Sequence, residues 1–264
     1  MSRIIISPSI LGYESYLDES IGKIREMLSC GIEWLHIDVM RKPFIPSRDA
    51  FTEESMHRLY DEFGDDMNLD FHLMVSQPDS LIETIDKTVP SDRRGNTNIT
   101  IHREAYRLVK IGKYGCKEHD LLRADTGNAS LDAYLRGVNT SSGDLVHRTL
   151  NNIKESGYKA GLALEPGTSL KNISEDMINV MDMLLLMSVS SGAGGQGYMH
   201  AVTGKIREAR QNYGSLMIQV DGGINERVLP EVIEAGANNI VIGSYITKAE
   251  NLADRIDHIR TYIK

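Results

Sequence analysis

Four side chains of metal-binding type lie in three short apolar runs of the sequence. They are His36, Asp38, His72 and Asp221. Residues two apart in a β-strand share one face, so His36 and Asp38 would project together while Ile37 packs the other way. Two imidazoles and two carboxylates form a good donor set for Zn²⁺, Mn²⁺ or Fe²⁺. The sequence therefore predicts a metal site, provided that the three runs end close together.

The two carboxylates also suit proton transfer. An epimerisation beside a carbonyl group removes a proton from one face of a carbon and returns a proton to the other face. Asp38 and Asp221 could act as that acid and base if they lie on opposite sides of the substrate, while a metal stabilises the enediolate. Metal ligation alone is the other interpretation, and the two roles are compatible.

Three methionines follow the same alternation near the ends of predicted strands: Met40, Met74 and Met187. Methionine commonly fills irregular space in a core, which is one interpretation of all three. The functional interpretation is an apolar, polarizable wall beside the reacting carbon. The sequence leaves both open.

The elements that must position these residues alternate regularly along the chain. Strands are predicted at 4–6, 36–40, 69–75, 98–102, 159–164, 183–189, 216–221 and 239–242. Helices are predicted at 16–28, 51–63, 78–88, 145–156, 169–180, 202–213, 226–235 and 252–263. This alternation predicts parallel strands with crossover helices, and eight units in 264 residues fit a single-domain (β/α)8 TIM barrel. Such a barrel brings the carboxyl ends of all strands to one face, where the four candidate ligands would meet.

One segment interrupts the alternation. From about 104 to 143, after the fourth strand, the chain is polar and irregular, with glycines at 112, 115, 127 and 137. A connection of this length in a compact domain is typical of a functional lid or of an added segment. We interpret it as a long insertion, either a lid over the substrate or an oligomer contact.

Three glycine-rich loops follow the last three predicted strands. They contain Gly192-Ala193-Gly194-Gly195, Gly222-Gly223 and Gly243-Ser244. Loops after the last strands of such barrels often hold phosphate through backbone N–H groups. Tight turns alone would explain one such loop, but three in succession predict a phosphate-binding site.

Composition excludes several classes of protein. The formal net charge of −8 argues against a nucleic-acid partner. Cys30 and Cys116 make neither a disulfide framework nor a paired-cysteine metal site, so we expect a reducing, cytoplasmic environment. The apolar run at 4–6 is far too short for a signal segment or a membrane span, and we expect no membrane association.

The sequence resembles the ribulose-phosphate 3-epimerase family in stretches that occur in order from end to end. They are Ser7-Pro8-Ser9-Ile10-Leu11, His36-Ile37-Asp38-Val39-Met40, Phe44-Ile45-Pro46, His72-Leu73-Met74-Val75, His102-Arg103-Glu104-Ala105, Gly194-Gly195-Gln196, Val220-Asp221-Gly222-Gly223-Ile224 and Gly243-Ser244. The resemblance implies interconversion of ribulose 5-phosphate and xylulose 5-phosphate, a step of the pentose phosphate pathway. It also implies an assembly of identical subunits, that is, a homo-oligomer.

The resemblance further implies roles for individual residues. His36, Asp38, His72 and Asp221 would bind one divalent metal, most simply Zn²⁺ with Fe²⁺, Mn²⁺ or Co²⁺ as alternatives, and Asp38 and Asp221 would be the acid/base pair. The sugar phosphate would be contacted by Ser9, His72, Gly192, Ala193, Gly194, Gly195, Gly222, Gly223, Gly243 and Ser244.

Five residues near these motifs depart from the family pattern: Arg41, Lys42, Ser47, Ser191 and Ala193. They bear on the choice of substrate more than on the reaction. An allulose-6-phosphate 3-epimerase is therefore one alternative, with room for an extra carbon beside the small Ala193. A non-catalytic sugar-phosphate-binding relative is another. A related decarboxylase is disfavoured, because no lysine follows Asp38 at the required position.

Overall fold

The computed structural model describes residues 3–106 and 142–263. Its centre is one sheet of eight parallel strands. These are β1 Ile5–Pro8, β2 Trp34–Met40, β3 Asn68–Met74, β4 Thr97–His102, β5 Lys159–Leu164, β6 Met183–Met187, β7 Met217–Asp221 and β8 Asn239–Ile242. All eight predicted strands are present, and the bounds of β5 and β8 match the prediction without change.

Helices follow the strands on the outside of the sheet. Within the described ranges they are α1 Leu17–Ser29, α2 Glu53–Phe63, α3 Asp79–Thr88, α4 Ser142–Glu155, α5 Glu175–Val180, α6 Ala201–Asn212, α7 Leu229–Glu234, α8 Ser244–Thr247 and α9 Leu252–Arg260. Short 3₁₀ helices lie at Leu11–Tyr16, Arg94–Asn96 and Leu170–Asn172.

The structure corrects two helix predictions. The helix expected over 169–180 is divided into the 3₁₀ turn Leu170–Asn172 and α5, because Ser174 caps a new helix by accepting a hydrogen bond from the Met177 N–H at 3.3 Å. The short helix α8, directly after β8, was not predicted at all. At four residues it is too short to produce a helical pattern in the sequence.

The strand order β1-β8-β7-β6-β5-β4-β3-β2 leaves β1 and β2 at the two ends of the sheet. These ends meet through a parallel bridge between Ser9 and His36, and the Ile10 N–H donates to the His36 carbonyl at 3.2 Å. The sheet is thus a nearly closed barrel, which confirms the predicted fold class.

The interior of this barrel is polar along β2, β3 and β4, whereas the layer between sheet and helices is apolar and a small second apolar cluster contains Ala163, Leu185, Met187 and Val189. Along β2, Leu35, Ile37 and Val39 belong to the apolar core, and the alternate residues His36 and Asp38 are also buried. Other buried polar side chains on the strands are Ser7, Asp70, His72, Thr97, Asn98, Thr100, His102, Gln219 and Asn239. Buried polar groups are usually hydrogen-bonded, and here Asp70 connects His36, Asn98 and Gln219 in one network across the interior.

The predicted insertion over 104–143 falls almost entirely outside the described residues, as does Cys116. The described chain reaches Tyr106, whose hydroxyl donates to Asp79 of α3 and also contacts the Thr149 hydroxyl of α4 at 2.6 Å. No helix in the described ranges is long and apolar enough to cross a membrane.

Candidate active site

The structure brings the four candidate metal ligands together at the carboxyl ends of the strands. His36 and Asp38 lie on β2, His72 on β3 and Asp221 at the end of β7. One ligand atom from each lies within 4.8 Å of the others. The strand register produces part of this arrangement directly, because Asp38 is the cross-strand partner of His72.

Asp38 is the centre of the cluster. Its Oδ1 atom lies 2.9 Å from His72 Nδ1 and 3.2 Å from His36 Nε2. Its Oδ2 atom accepts a hydrogen bond from the Ser9 hydroxyl at 2.7 Å. Ser9, predicted to contact the sugar phosphate, therefore also holds the orientation of this carboxylate.

Asp70 fixes the orientation of His36 through the ring nitrogen that faces away from Asp38. The Nδ1 atom of His36 lies 2.7 Å from Asp70 Oδ2, and both side chains are fully buried. A carboxylate on the second nitrogen of a ligating histidine fixes the tautomer that offers the first nitrogen to a metal. Here that contact leaves His36 Nε2 pointing at Asp38.

Charges within the cluster shift the pKa values of its members. Burial alone would raise the pKa of Asp38, but the charge of His36 and hydrogen bonds from both histidines hold it well below its usual range. Burial raises the pKa of Asp221 to about 7, and the nearby charge of Asp38 adds to this shift. Burial would lower the pKa of His36, but the charges of Asp38 and Asp70 outweigh it and raise this pKa well above its ordinary value. The two carboxylates thus differ strongly in proton affinity.

The donor set fits one divalent metal ion. Two imidazole nitrogens and two carboxylate oxygens converge, and a carboxylate behind His36 holds its ring in the orientation that ligation requires. A divalent cation would also neutralise the two neighbouring carboxylates, Asp38 and Asp221. The same donors suit zinc, iron, manganese and cobalt.

A cavity of about 290 Å³ opens above the cluster and is lined by both carboxylates. The predicted phosphate loops also line it, through Gly192, Ala193, Gly194, Gly195, Gly222, Gly223, Gly243 and Ser244. So do Ser9 and the three methionines Met40, Met74 and Met187. His72, by contrast, is fully buried and lies beneath this lining rather than in it.

The double glycine Gly222-Gly223 has no room for a side chain at either position. At Gly222 the φ angle is +121°, and a Cβ would lie 2.5 Å from Val189 Cγ2. At Gly223 the φ angle is +67°, and a Cβ would lie 2.3 Å from the Tyr198 backbone nitrogen. The Ser188 N–H donates to the Asp221 carbonyl at 2.7 Å and fixes the strand end just before this turn. The double glycine therefore allows two loops to pack closely beside the catalytic candidate Asp221.

The departures from the family pattern divide into two groups. Ser191 and Ala193 line the cavity, whereas Arg41, Lys42 and Ser47 do not. The Arg41 guanidinium donates to the carbonyl oxygens of Met40, Ala50 and Phe51 at 2.7 to 2.8 Å, so it fastens the loop after β2.

The sequence analysis missed Arg48, the cation of this loop that does line the cavity, where it is paired with Glu14. No pattern in the sequence distinguishes Arg48 from Arg41, because the folded path of the loop decides which of them faces inward.

Two supporting residues were also missed, although a usable signal was present. Asp70 lies two positions before His72 and Gln219 two positions before Asp221, so each shares a strand face with a candidate ligand. Asp70 accepts hydrogen bonds from Asn98 at 2.6 Å and Gln219 at 2.7 Å in addition to its contact with His36. Both could have been predicted from the polar residue two positions before each candidate ligand on the same strand face.

Fold and site together define an α/β-barrel protein with a two-histidine, two-aspartate cluster beneath a glycine-rich cavity. The family model described as the ribulose-phosphate 3 epimerase family matches residues 5–119 and 128–247. This chain belongs to the ribulose-phosphate 3-epimerase family.

Individual relatives agree over nearly the whole length. The ribulose-phosphate 3-epimerase of Bacillus subtilis is 31% identical over 265 residues, covering 97% of this chain and 98% of the relative. The enzyme of the same name from Escherichia coli is 29% identical and covers 99% of this chain and 96% of its own. The chloroplastic ribulose-5-phosphate-3-epimerase of Arabidopsis thaliana is 30% identical, covering 98% of this chain and 77% of that protein.

Solved structures show the same fold at low identity. The 3-hexulose-6-phosphate synthase of Salmonella typhimurium superposes with a TM-score of 0.56 at 13% identity, covering 98% of each chain. The orotidine 5'-monophosphate decarboxylase of Sulfolobus solfataricus has a TM-score of 0.52 at 14% identity, covering 100% of this chain and 98% of that one. These similarities concern the barrel alone.

Proposed function

We propose that this protein is a metal-dependent epimerase that inverts C3 of a ketose phosphate, with ribulose 5-phosphate as substrate and xylulose 5-phosphate as product. The observation that carries the proposal is the convergence of Asp38 and Asp221 with His36 and His72 at the base of the cavity. Membership of the family supports the same reaction.

His36, Asp38, His72 and Asp221 would hold the metal, which would supply positive charge to the oxygen atoms beside C3 and so favour loss of the C3 proton. Zinc is our first expectation, with iron, manganese or cobalt as alternatives.

The proton transfers are assigned to the two carboxylates. Asp38 is on β2 and Asp221 on β7, and both line the cavity from different strands. One carboxylate would accept the C3 proton from one face of the substrate, and the other would donate a proton to the opposite face. Running the pair in reverse interconverts the two epimers.

Substrate binding is assigned to the rest of the lining. The backbone of the loops at 192–195, Gly222-Gly223 and Gly243-Ser244 would hold the phosphate. Ser9 would approach the sugar while orienting Asp38, to which it already donates a hydrogen bond. Met40, Met74 and Met187 would form an apolar wall that limits water beside the reacting carbon.

Allulose 6-phosphate is the second candidate substrate. The observation that favours it is Ala193, a small and exposed residue of the glycine loop that lines the cavity. A ketose with one more carbon needs additional length between the metal cluster and the phosphate loops.

We also propose a cytoplasmic location and a homo-oligomeric assembly. The first rests on the low cysteine content of the chain, and the second on its family membership. Light scattering on the eluting peak of a gel-filtration column would measure the assembly directly.

The decisive experiment is hydrogen exchange at C3 of ribulose 5-phosphate in D₂O, followed by NMR. Wild-type protein is expected to incorporate deuterium at C3 and to form xylulose 5-phosphate, while Asp38→Asn and Asp221→Asn do neither. Asp92→Asn makes the same chemical change on an exposed side chain and should retain wild-type activity.

Absence of exchange with folded, metal-loaded protein would exclude ribulose 5-phosphate as substrate. The same assay on allulose 6-phosphate then separates altered specificity from a protein that binds sugar phosphate without catalysis. Removal of the metal with a chelator should abolish exchange, and Zn²⁺, Mn²⁺, Fe²⁺ or Co²⁺ added back singly would identify the metal that restores it.

A further inference from the structure

His102, at the end of β4, is a buried histidine to which the proposed reaction gives no role. Its side chain is fully buried and does not line the cavity. Its Nε2 atom lies 2.8 Å from Nε2 of His72, and the two rings are nearly coplanar, with 22° between their planes and a centroid distance of 4.9 Å. The ring of Phe44 also packs on His102 at 4.9 Å.

The contact between the two histidines fixes where their protons must be when His72 binds a metal. His72 directs Nδ1 toward Asp38, so Nδ1 is the nitrogen available for ligation and must carry a lone pair. The proton of the neutral His72 ring is then on Nε2 and is donated to Nε2 of His102. His102 can accept it only as the tautomer that carries its own proton on Nδ1.

The surroundings of His102 suit that tautomer. Its Nδ1 atom lies 3.4 Å from Glu104 Oε2 and 3.7 Å from Glu165 Oε1. His102 Nδ1 and Glu104 Oε2 are both buried, and neither has a hydrogen-bond partner in the described structure. A small movement would turn their contact into a hydrogen bond and satisfy both atoms.

Glu104 is itself held in place. Its Oε1 atom accepts hydrogen bonds from the Thr168 hydroxyl and from the Glu165 backbone N–H. Its Oε2 atom is therefore left directed at His102. On the far side, Glu165 Oε2 accepts a hydrogen bond at 3.4 Å from the N–H of Ser191, a residue of the cavity lining.

We propose that His102 is a positioning residue for the metal, acting through His72 in a chain of hydrogen bonds from His72 to His102 to Glu104. Histidine ligands usually donate their second N–H directly to a carboxylate or a carbonyl group. Here a second imidazole stands between ligand and carboxylate. The proposal rests on the metal site of the proposed function, but it concerns metal affinity and ligand orientation rather than the substrate.

The test measures metal binding by metal-free protein, without substrate. Zn²⁺ affinity is obtained by competition with a chromophoric chelator, and ligand geometry from the visible absorption spectrum of the Co²⁺ form. His102→Phe keeps an aromatic ring but removes the acceptor for His72, and we expect a loss of about 10- to 100-fold in Zn²⁺ affinity. We also expect a changed Co²⁺ spectrum at saturating metal.

Two further variants serve as controls. His102→Gln keeps an acceptor oxygen and should recover most of the affinity that His102→Phe loses. His258→Phe makes the same substitution at an exposed histidine, and its affinity should stay within about twofold of wild type. Circular dichroism of the metal-free proteins establishes that each variant is folded.

Wild-type affinity together with an unchanged Co²⁺ spectrum in folded His102→Phe would overturn the proposal. If that variant does not fold, Glu104→Gln takes its place, because it weakens only the last bond of the chain; a severalfold loss of Zn²⁺ affinity supports the proposal, and none overturns it.

The outcomes separate this inference from the proposed function. A wild-type protein that binds Zn²⁺ in a His102-dependent way but fails to exchange C3 hydrogen would refute the epimerase and keep the inference. A wild-type protein that is active but whose Zn²⁺ affinity does not change in the His102 variants would support the epimerase and refute the inference.

Discussion

Gln219 and Asp70 form a hydrogen bond across the interior of the barrel, with Gln219 Nε2 donating to Asp70 Oδ2 at 2.7 Å. Their strands, β7 and β3, are not neighbours in the sheet. Asp70 Oδ2 also lies 2.7 Å from His36 Nδ1. Gln219 on β7 therefore supports the candidate metal ligand His36 on β2 through Asp70. The same hydrogen bonds should stabilise the fold and hold the site in place.

Gln219→Met is expected to lower the free energy of unfolding by about 1–3 kcal/mol. The substitution keeps the length of the side chain but removes a donor from a buried carboxylate. Denaturation in urea measures the change. Gln211→Met makes the same exchange on an exposed position of α6 and should stay within about 0.5 kcal/mol of wild type. Equal stability of the two variants would contradict the role given to this bond.

The strands could be predicted because their burial produces a simple pattern. Alternation in β2 and β3 marks two different faces, and both faces are buried here, one against helices and one in a polar barrel interior. The same alternation placed His36, Asp38 and His72 on the inner face. The division at Ser174 was missed because the apolar spacing continues through it, although a serine followed by Glu175 and Asp176 is typical of a helix N-terminus.

Gly223→Ala tests the close packing at the turn after Asp221. A methyl group there meets the Tyr198 backbone nitrogen at 2.3 Å, and the φ angle of +67° disfavours any side chain. We expect a loss of about 2–4 kcal/mol in the free energy of unfolding from backbone strain and overpacking. Weaker binding of inorganic phosphate, measured by calorimetry, should accompany it.

Gly204→Ala is the matched control for that substitution. Gly204 lies inside α6, and no heavy atom stands within 4 Å of the position that its Cβ would take. Alanine there should raise the free energy of unfolding by about 0.5–1 kcal/mol. The interpretation of the turn would be wrong if both glycines accepted alanine equally well.

Tyr106→Phe tests the buried hydrogen bond from the Tyr106 hydroxyl to Asp79. Burial, followed by the charge of Asp79, raises the pKa of Tyr106 well above its ordinary value of 10.0. Because the pKa is raised in the folded state, only the unfolded tyrosine ionises just above pH 10. The contribution of Tyr106 to the free energy of unfolding is therefore complete below about pH 10 and declines as the pH rises further.

At neutral pH, Tyr106→Phe should cost about 1–3 kcal/mol, since Asp79 loses its donor. Above about pH 10, its disadvantage relative to wild type should shrink by up to about 1.4 kcal/mol per pH unit. Urea titrations at several pH values measure this. Tyr16→Phe, at an exposed ring, should keep the wild-type slope, and a constant gap for Tyr106→Phe would refute the argument.

The site was predictable where chemistry and spacing coincide, and unpredictable where a contact depends on the closed barrel. His36, Asp38, His72 and Asp221 are recognisable by type and position. The contact between His102 and His72 requires the register of β3 against β4, and the folded path of the loop after β2 places Arg48 in the cavity lining while Arg41 contacts backbone carbonyls. Such relationships are properties of the fold rather than of any one segment.

Ala193→Phe tests whether this position sets the length of the substrate. Ala193 lines the cavity and is exposed, so a ring at this position has open space to enter. If the cavity admits a six-carbon ketose phosphate because Ala193 is small, phenylalanine should lower kcat/KM for allulose 6-phosphate by about 10- to 100-fold and affect ribulose 5-phosphate much less. The estimate reflects the roughly 1–3 kcal/mol by which one carbon changes the fit of a pocket.

Ser47→Phe places the same ring on the loop after β2 at a residue that does not line the cavity, and it should leave the ratio of the two substrates unchanged. Equal losses for both substrates in Ala193→Phe would mean that the ring disturbs the phosphate loop itself. The specificity would then have to come from another part of the lining, and Arg48, which is paired with Glu14, is the next lining residue to vary.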